Sequence, residues 1–229
     1  MKKPTLTPAD QDYLKTIYDL SSQSQPVSTN AVAERLQVKP SSVTQMIQKL
    51  ANAQPPLVSH TPRHGFVLTE AGQMTALGIL RRHRLLEAFL ADVLGFAWDE
   101  IHPEADRLEH VVSEKFIEQL DHLLGHPSFD PHGDPIPNPA LHLPGQSSMP
   151  FSQLSAGDTA IIRRVRSQDE RVFQRLGELH LTPGVLVRVT AVHPLDGVAH
   201  LEIGSERVAL VLGENLFSCL EVEVLPGIA

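Results

Sequence analysis

The sequence predicts an α+β chain in three parts, and three observations support this prediction. Helical hydrophobic periodicity runs through the N-terminal and middle parts, short strand-like runs fill the C-terminal part, and a stretch with seven prolines lies before them. We therefore expect domains at residues 1–70, 71–126 and 151–229, with a proline-rich linker at 127–150. A length of 229 residues is enough for two or three small domains, each with its own core.

The composition is that of an ordinary globular protein, with 41% hydrophobic and 20% charged residues. No apolar run reaches the roughly 18 residues of a membrane span, and MKKPTLTPADQDY at the start lacks the apolar core of a secretory signal. The single cysteine, Cys219, excludes an intramolecular disulfide and fits a reducing compartment. These features predict a cytoplasmic protein with no membrane partner.

Charge is distributed unevenly along the chain. The net charge is −8, but residues 1–68 have seven Lys/Arg against four Asp/Glu, whereas residues 69–150 have five against thirteen and residues 151–229 have seven against ten. Only the first part is net positive. This asymmetry is expected when one end of a protein binds phosphates.

The N-terminal part predicts three short helices followed by a hairpin. TPAD at 7–10 begins the first helix, Ser28 caps the second and Pro40 opens the third. Two β-rich runs then surround a basic tip that contains Arg63. This order is typical of a winged helix-turn-helix domain, and a small helical bundle with polar surfaces is the alternative.

The third predicted helix has two distinct faces. One face is apolar, and the opposite face is short, nearly uncharged and rich in hydrogen-bonding groups, which suits insertion into a major groove. Gln45 is the strongest candidate for reading a base, because its amide can pair bidentately with adenine. We expect contacts at or near base edges from Ser41, Ser42, Thr44 and Gln45, and phosphate contacts from Lys39, Lys49 and Arg63.

The middle part predicts two long amphipathic helices, one from Thr69 to about Gly95 and one over residues 103–124. Two helices are too few to enclose so much apolar surface by themselves. We therefore expect them to pack against their copies in a homodimer. A two-fold dimer also suits double-stranded DNA, because two recognition helices can meet the half-sites of a palindromic operator.

Ligand-type side chains cluster in the same part, in the stretch HPEADRLEH at residues 102–110. On a continuous helix, His102, Asp106, Glu109 and His110 fall within roughly 100° of one face. His83 and Glu87 form a second pair, at i and i+4, on the preceding helix. Imidazoles mixed with carboxylates suit a divalent cation of intermediate hardness, and a solvated acidic helix face is the alternative.

The proline-rich linker shows little periodicity, so we expect a connector that is only partly ordered. Its histidines, His126, His132 and His142, lack helical spacing and are expected to be solvated.

After Phe151, about five short strands and one helical turn predict a small β-barrel, with hairpin turns at Asp196-Gly197 and Gly204-Ser205.

Two stretches of the sequence, RRHRLLEAFL followed by IHPEADRLEHVVSE, come after a winged helix whose first helix begins near Asp12-Tyr13-Leu14. In these features the sequence resembles the diphtheria toxin repressor family. That family consists of metal-activated transcriptional repressors and includes the manganese transport regulators. The resemblance covers essentially the whole chain, and the C-terminal barrel is similar to the SH3-like domain of this family and of ferrous-iron transport A-type proteins.

The resemblance implies two metal sites. For the first site it implies His83, Glu87 and His102, with Asp169 or the adjacent Glu170 as an additional ligand from the barrel. For the second site it implies Asp12, Asp106, Glu109 and His110.

Two positions depart from the iron-responsive branch, which has sulfur ligands where this chain has Asp12 and Asp106. Carboxylates shift the preference toward the harder Mn²⁺, with Fe²⁺ as the other candidate, although other divalent transition metals would also bind in vitro. The manganese branch commonly has a glutamate where this chain has Lys15. We therefore expect two separate sites rather than one bridged pair of ions.

The function implied is a metal-dependent regulator, a repressor of metal-uptake genes, in which the ion locks the winged-helix domains of a homodimer for operator binding. A winged-helix regulator that answers a non-metal ligand is the alternative, but the lone Cys219 argues against thiol sensing. A metallohydrolase is disfavoured, because the sequence has no HExxH motif and no nucleophile elbow. We expect neither an enzyme nor a small-molecule substrate.

Overall fold

The structure is a computed structural model that describes residues 6–22, 24–61, 65–167 and 169–226. The chain divides into two compact units. The first runs to His83 and includes Pro137–His142, and the second consists of Arg84–Ile136 and the chain from Leu143 onward. Within the described ranges, no helix is both long enough and apolar enough to cross a membrane.

The first unit begins with three helices whose starts follow local capping chemistry. Thr7 and Asp10 form a capping box, in which each side chain accepts a hydrogen bond from the backbone N–H of the other. Ser28 caps the second helix, and Pro40 occupies the first turn of the third. The three helices are α1 (Pro8–Ser21), α2 (Thr29–Arg35) and α3 (Pro40–Ala51).

A two-stranded antiparallel hairpin follows, formed by β1 (Val58–Thr61) and β2 (Gly65–Leu68). The backbone of Val27 exchanges hydrogen bonds of 2.9 and 3.0 Å with Phe66 and so extends the hairpin by one bridge. Gly65 has φ +95°, and a Cβ there would lie 2.4 Å from the carbonyl oxygen of Val27, so only glycine fits. The predicted winged helix-turn-helix is confirmed, but the tip with Arg63 lies outside the described residues.

The apolar faces of these elements form one core. The predicted inner face of α3 is confirmed, because Val43, Ile47 and Leu50 are buried and Met46 is partly buried against them. The first part of the next helix, α4 (Glu70–Asp92), closes this core with Ala76 and Ile79.

The predicted single helix over residues 103–124 is wrong, because the structure has two helices there, α5 (Ile101–Leu108) and α6 (Glu114–Leu123). Ser113 accounts for the break: its hydroxyl accepts a hydrogen bond from the N–H of Phe116 and caps a new helix start. Glu109 is the C-cap of α5, with its N–H bonded to the Ala105 carbonyl, and His110 lies beyond it, so the four ligand-type residues of the HPEADRLEH stretch do not all belong to one continuous helix.

The second unit has a helical core and a sheet core. The helical core contains Leu85, Leu86 and Leu90 from α4 together with the inner residues of α5 and α6. Ile136, from the predicted linker, is 2% exposed in the same core. Residues around it are held by a bridge between Phe129 and Pro135.

The C-terminal elements are β3 (Met149–Pro150), β4 (Thr159–Val165), α7 (Glu170–Glu178), β5 (Leu186–His193), β6 (Val198–Ile203), β7 (Val208–Gly213), α8 (Glu214–Phe217) and β8 (Leu220–Val224). The strands form an antiparallel sheet in the order β3-β8-β4-β5-β6-β7. The predicted turns are confirmed, since Gly197 and Gly204 have φ of +61° and +65° between successive strands. The sheet packs over its own apolar core with two helices.

Candidate metal centre and nucleic-acid interface

Glu87 is the central residue of the candidate metal centre. It lies on α4 between the core residues Leu86 and Ala88 and is only 2% exposed. The Nδ1 of His102, on α5, lies 2.9 Å from Glu87 Oε1. Two of the three ligands expected for the first site are thus in contact, and His83 precedes Glu87 by one turn of α4.

Sequence reasoning missed two further residues at this centre. Asp130 and His132 come from the predicted linker, and ligand atoms of Glu87, Asp130 and His132 all lie within 4.8 Å of one another. The expectation that His132 is solvated is wrong, since it is 3% exposed. A recognisable signal existed in the sequence, where Asp-Pro-His-Gly places two ligand types around a proline and before a glycine.

Backbone hydrogen bonds within residues 130–134 position the Asp130 and His132 side chains. Asp130 Oδ1 accepts hydrogen bonds of 2.9 Å from the N–H groups of His132 and Asp134. Gly133 has φ +86°, and a Cβ there would lie 2.0 Å from the carbonyl oxygen of Arg163 on β4, which only glycine permits. His132 and Asp130 are therefore positioned by backbone hydrogen bonds and by the close approach of Gly133 to β4.

Aromatic rings and a carbonyl group set the orientation of His132. Its Nε2 lies 3.3 Å from the carbonyl oxygen of Trp98, which leaves Nδ1 on the side of Glu87. Its ring centroid lies 5.1 Å from that of Trp98 and 4.5 Å from that of Phe173 on α7. A metal-binding histidine commonly donates one ring N–H to a backbone carbonyl while its other nitrogen faces the ion, and the contact of His132 with the Trp98 carbonyl fits this arrangement.

The electrostatics of the cluster also favour a cation. Asp130 Oδ2 is buried and has no hydrogen-bond donor among the described residues, and Arg84 Nε is 3.8 Å away. Burial raises the pKa of Asp130 well above its ordinary value, the charges of Glu87 and Asp134 raise it further, and Arg84 opposes them. Burial lowers the pKa of His132. Two crowded buried carboxylates and a neutral imidazole are a donor set that fits a divalent ion.

The residues expected for the second site fall in both units. Asp12 lies on α1 in the first unit. In the second unit, Glu109 is fully buried and its Oε1 lies 3.6 Å from His110 Nε2, just after α5. Asp106 Oδ2, on α5, is 3.7 Å from His102 Nε2.

The two candidates from the C-terminal domain are at the start of α7. Asp169 caps this helix, and its carboxylate accepts hydrogen bonds of 2.9 and 2.6 Å from Arg171, whose guanidinium lowers the pKa of Asp169. Glu170 is the first residue of the helix. Among the residues that the structure describes, neither belongs to a cluster of metal-ligand atoms.

On the candidate nucleic-acid interface, α3 presents the polar face that its sequence predicts. Thr44 donates a hydrogen bond from its hydroxyl to the carbonyl of Pro40, which ties part of this face to the helix backbone. Lys49 is held by an ion pair with Asp10. Six of the seven expected DNA-contacting residues are exposed on or beside this helix: Lys39, Ser41, Ser42, Thr44, Gln45 and Lys49.

A winged-helix domain joined to a carboxylate–imidazole centre defines the class of protein, a metal-dependent DNA-binding regulator. Comparison with known families agrees. Residues 5–66 match the N-terminal DNA-binding domain of the iron-dependent repressors, residues 69–138 match their metal-binding and dimerisation domain, and residues 149–224 match the FeoA domain.

Similarity to individual proteins extends over nearly the whole chain. The chain is 31% identical to the iron-dependent repressor IdeR of Mycobacterium tuberculosis over 86% of this chain and 90% of that protein. It is 26% identical to the diphtheria toxin repressor of Corynebacterium jeikeium over 92% of this chain and 95% of that one. A solved manganese-dependent transcriptional repressor in complex with manganese is 35% identical, with a TM-score of 0.86, over 94% of this chain and 100% of that chain. The chain belongs to the iron-dependent, or diphtheria toxin, repressor family.

Proposed function

We propose that this chain is a manganese-responsive repressor that binds a palindromic operator of metal-uptake genes as a homodimer in the cytoplasm. The observation that carries the proposal is the buried cluster of Glu87, Asp130 and His132, in which Asp130 Oδ2 has no hydrogen-bond donor among the described residues. Arg84 Nε lies 3.8 Å from the same oxygen, and a divalent ion would add further positive charge between the two buried carboxylates.

The first site is then built around Glu87. His102, in contact with Glu87, and His83, one turn before it, come from the helices, whereas Asp130 and His132 come from the segment after α6. Asp169 or Glu170, at the start of α7, would be an additional ligand of this first site. None of these side chains offers sulfur, and their carboxylate oxygens shift the preference toward Mn²⁺, with Fe²⁺ as the other candidate.

The second site provides the switch. Asp12 belongs to the helix that precedes the DNA-reading elements, whereas Asp106, Glu109 and His110 belong to the dimerisation part of the chain. A bound dication would attract all of these carboxylates at once. Without it the three carboxylates repel one another, and the DNA-binding domain moves more freely with respect to the dimer. Restricting that motion favours the geometry that both half-sites require, so metal and DNA strengthen each other's binding.

Exposed apolar side chains support dimerisation. The second unit presents large hydrophobic residues to solvent near the end of α4, after α5 and along α6, more than an isolated surface explains. A second copy of the chain would bury them in a symmetric interface. These residues are Val93, Leu94, Phe96, Val111, Phe116 and Leu123.

One titration tests the proposal. Metal-stripped protein is used with a duplex selected from random DNA by the wild-type chain in Mn²⁺, and binding is measured in Mn²⁺, in anaerobic Fe²⁺ and in chelator. Metal should tighten binding roughly 5- to 150-fold, equivalent to about 1–3 kcal/mol of coupling. Failure to select any duplex, or equal affinity in chelator and Mn²⁺, would contradict the proposal and favour a regulator that answers a different ligand.

A further inference from the structure

Lys49, in the last turn of α3, forms an ion pair with a buried carboxylate. Its Nζ lies 2.6 Å from Oδ1 and 2.8 Å from Oδ2 of Asp10 on α1. Asp10 is 1% exposed, whereas the Lys49 side chain is 56% exposed. The pair therefore connects the recognition helix to the helix that starts the domain.

Asp10 is fixed from the other side as well. Its Oδ2 accepts a hydrogen bond of 2.9 Å from the N–H of Thr7, and its own N–H donates to the Thr7 hydroxyl over 3.3 Å. A carboxylate this deeply buried needs a cation at hydrogen-bond distance, because its desolvation is otherwise uncompensated. Lys49 supplies that cation, and its ammonium group lies within hydrogen-bond distance of both carboxylate oxygens.

The neighbours of this pair are the functional elements of the domain. Gln45, the candidate base-reading residue, lies one turn before Lys49 on α3. Asp12, a proposed metal ligand, lies two residues after Asp10 on α1. Between them, Gln11 accepts a hydrogen bond of 3.3 Å from Arg82 on α4. The first turn of α1 is thus linked to both α3 and α4.

We propose that Lys49 is a positioning residue for operator recognition, and that its ion pair with Asp10 holds α3 at the angle that base reading requires. This inference rests on the proposed DNA-binding function. It replaces the expectation that Lys49 contacts phosphate: a cation already neutralised by Asp10 displaces few counterions from DNA.

The test separates positioning from phosphate contact by salt dependence and by sequence dependence. The variants are Lys49→Met, Asp10→Asn and their combination, with Lys39→Met as the matched control at the other end of α3. Operator affinity in saturating Mn²⁺ is measured against salt concentration on the selected duplex and on a scrambled one. Loss of one phosphate contact lowers the slope of log K against log salt by about 0.9 and weakens both duplexes alike.

If Lys49 positions the helix, Lys49→Met and Asp10→Asn each weaken the selected duplex by about tenfold and the scrambled one by less than about twofold, with the salt slope unchanged. The combined variant is no weaker than either single one, because both remove the same interaction. The inference would be overturned if Lys49→Met lowered the slope of log K against log salt while Asp10→Asn bound the selected duplex as tightly as the wild type or more tightly. Unchanged operator affinity for Lys49→Met would overturn it too.

A further variant distinguishes positioning from phosphate contact even if the single changes unfold the domain. Asp10→Asn combined with Lys49→Gln replaces the ion pair by a neutral hydrogen bond and removes the charge of residue 49. Positioning predicts nearly wild-type affinity and slope, whereas phosphate contact predicts a lower slope. Absence of metal-dependent binding by the wild-type chain would instead refute the proposed function, so the two failures are distinguishable.

Discussion

His132 Nδ1 lies 3.8 Å from Glu87 Oε1, and both side chains are buried. The contact joins a long helix to a segment whose prolines suggest a flexible tether. Because the rings of Trp98 and Phe173 pack on the same histidine, the candidate metal centre borders the hydrophobic core of the C-terminal sheet.

Trp98 should report metal binding at the first site. It is the only tryptophan in the chain. Its backbone carbonyl accepts a hydrogen bond from His132, and its indole N–H donates a hydrogen bond of 3.2 Å to the carbonyl of Pro131. We expect Mn²⁺ to change its fluorescence, and Glu87→Gln to weaken that response by at least about tenfold, the usual scale for a lost group around a metal. Glu104→Gln, which changes a surface pair with Arg107, serves as the control. An unaltered titration of Glu87→Gln would place the ion elsewhere.

Asp130→Asn should separate stability from metal affinity. An asparagine retains an oxygen for the N–H groups of His132 and Asp134 but removes the repulsion between Asp130 and Glu87. In chelator we expect the free energy of unfolding to rise by about 1 kcal/mol. In Mn²⁺ the variant should gain less stability than wild type, because it binds the ion more weakly. Urea unfolding in both buffers measures this, and a destabilised metal-free variant would argue against crowding of the carboxylates.

Asp12→Asn should uncouple metal from DNA. The variant retains every residue of the first site, so the Trp98 response to Mn²⁺ should persist. Operator affinity in Mn²⁺ should fall toward its value in chelator, with loss of most of the expected coupling of about 1–3 kcal/mol. Fluorescence anisotropy of the selected duplex measures this. Full metal activation of the variant would show that Asp12 does not take part in the switch.

Gln45→Ala should weaken base reading. A bidentate contact between a glutamine amide and adenine is worth about 1–3 kcal/mol of discrimination, and Gln45 is exposed on α3. We expect the binding free energy on the selected duplex to weaken by this amount and to change little on a scrambled duplex. A competition assay between the two duplexes measures both effects. Equal weakening on both duplexes would leave Gln45 only a phosphate-binding or folding role.

Local patterns predicted the elements more reliably than the sites. The two faces of α3, the helix start at TPAD, the cap at Ser28 and the glycine turns of the sheet follow from neighbouring residues, and the structure agrees with them. The helix break before Ser113 was missed because apolar periodicity continues through it, whereas the serine cap decides where the backbone turns.

The sequence alone determined the three-part order, the polar recognition face and the types of ligand available, since these depend on spacing within one helix or strand. Only the tertiary structure decided that Asp130 and His132 reach Glu87, and that Lys49 is paired with Asp10. Those contacts join residues far apart in the chain. They exist because buried charges must find partners wherever the packed elements bring them together.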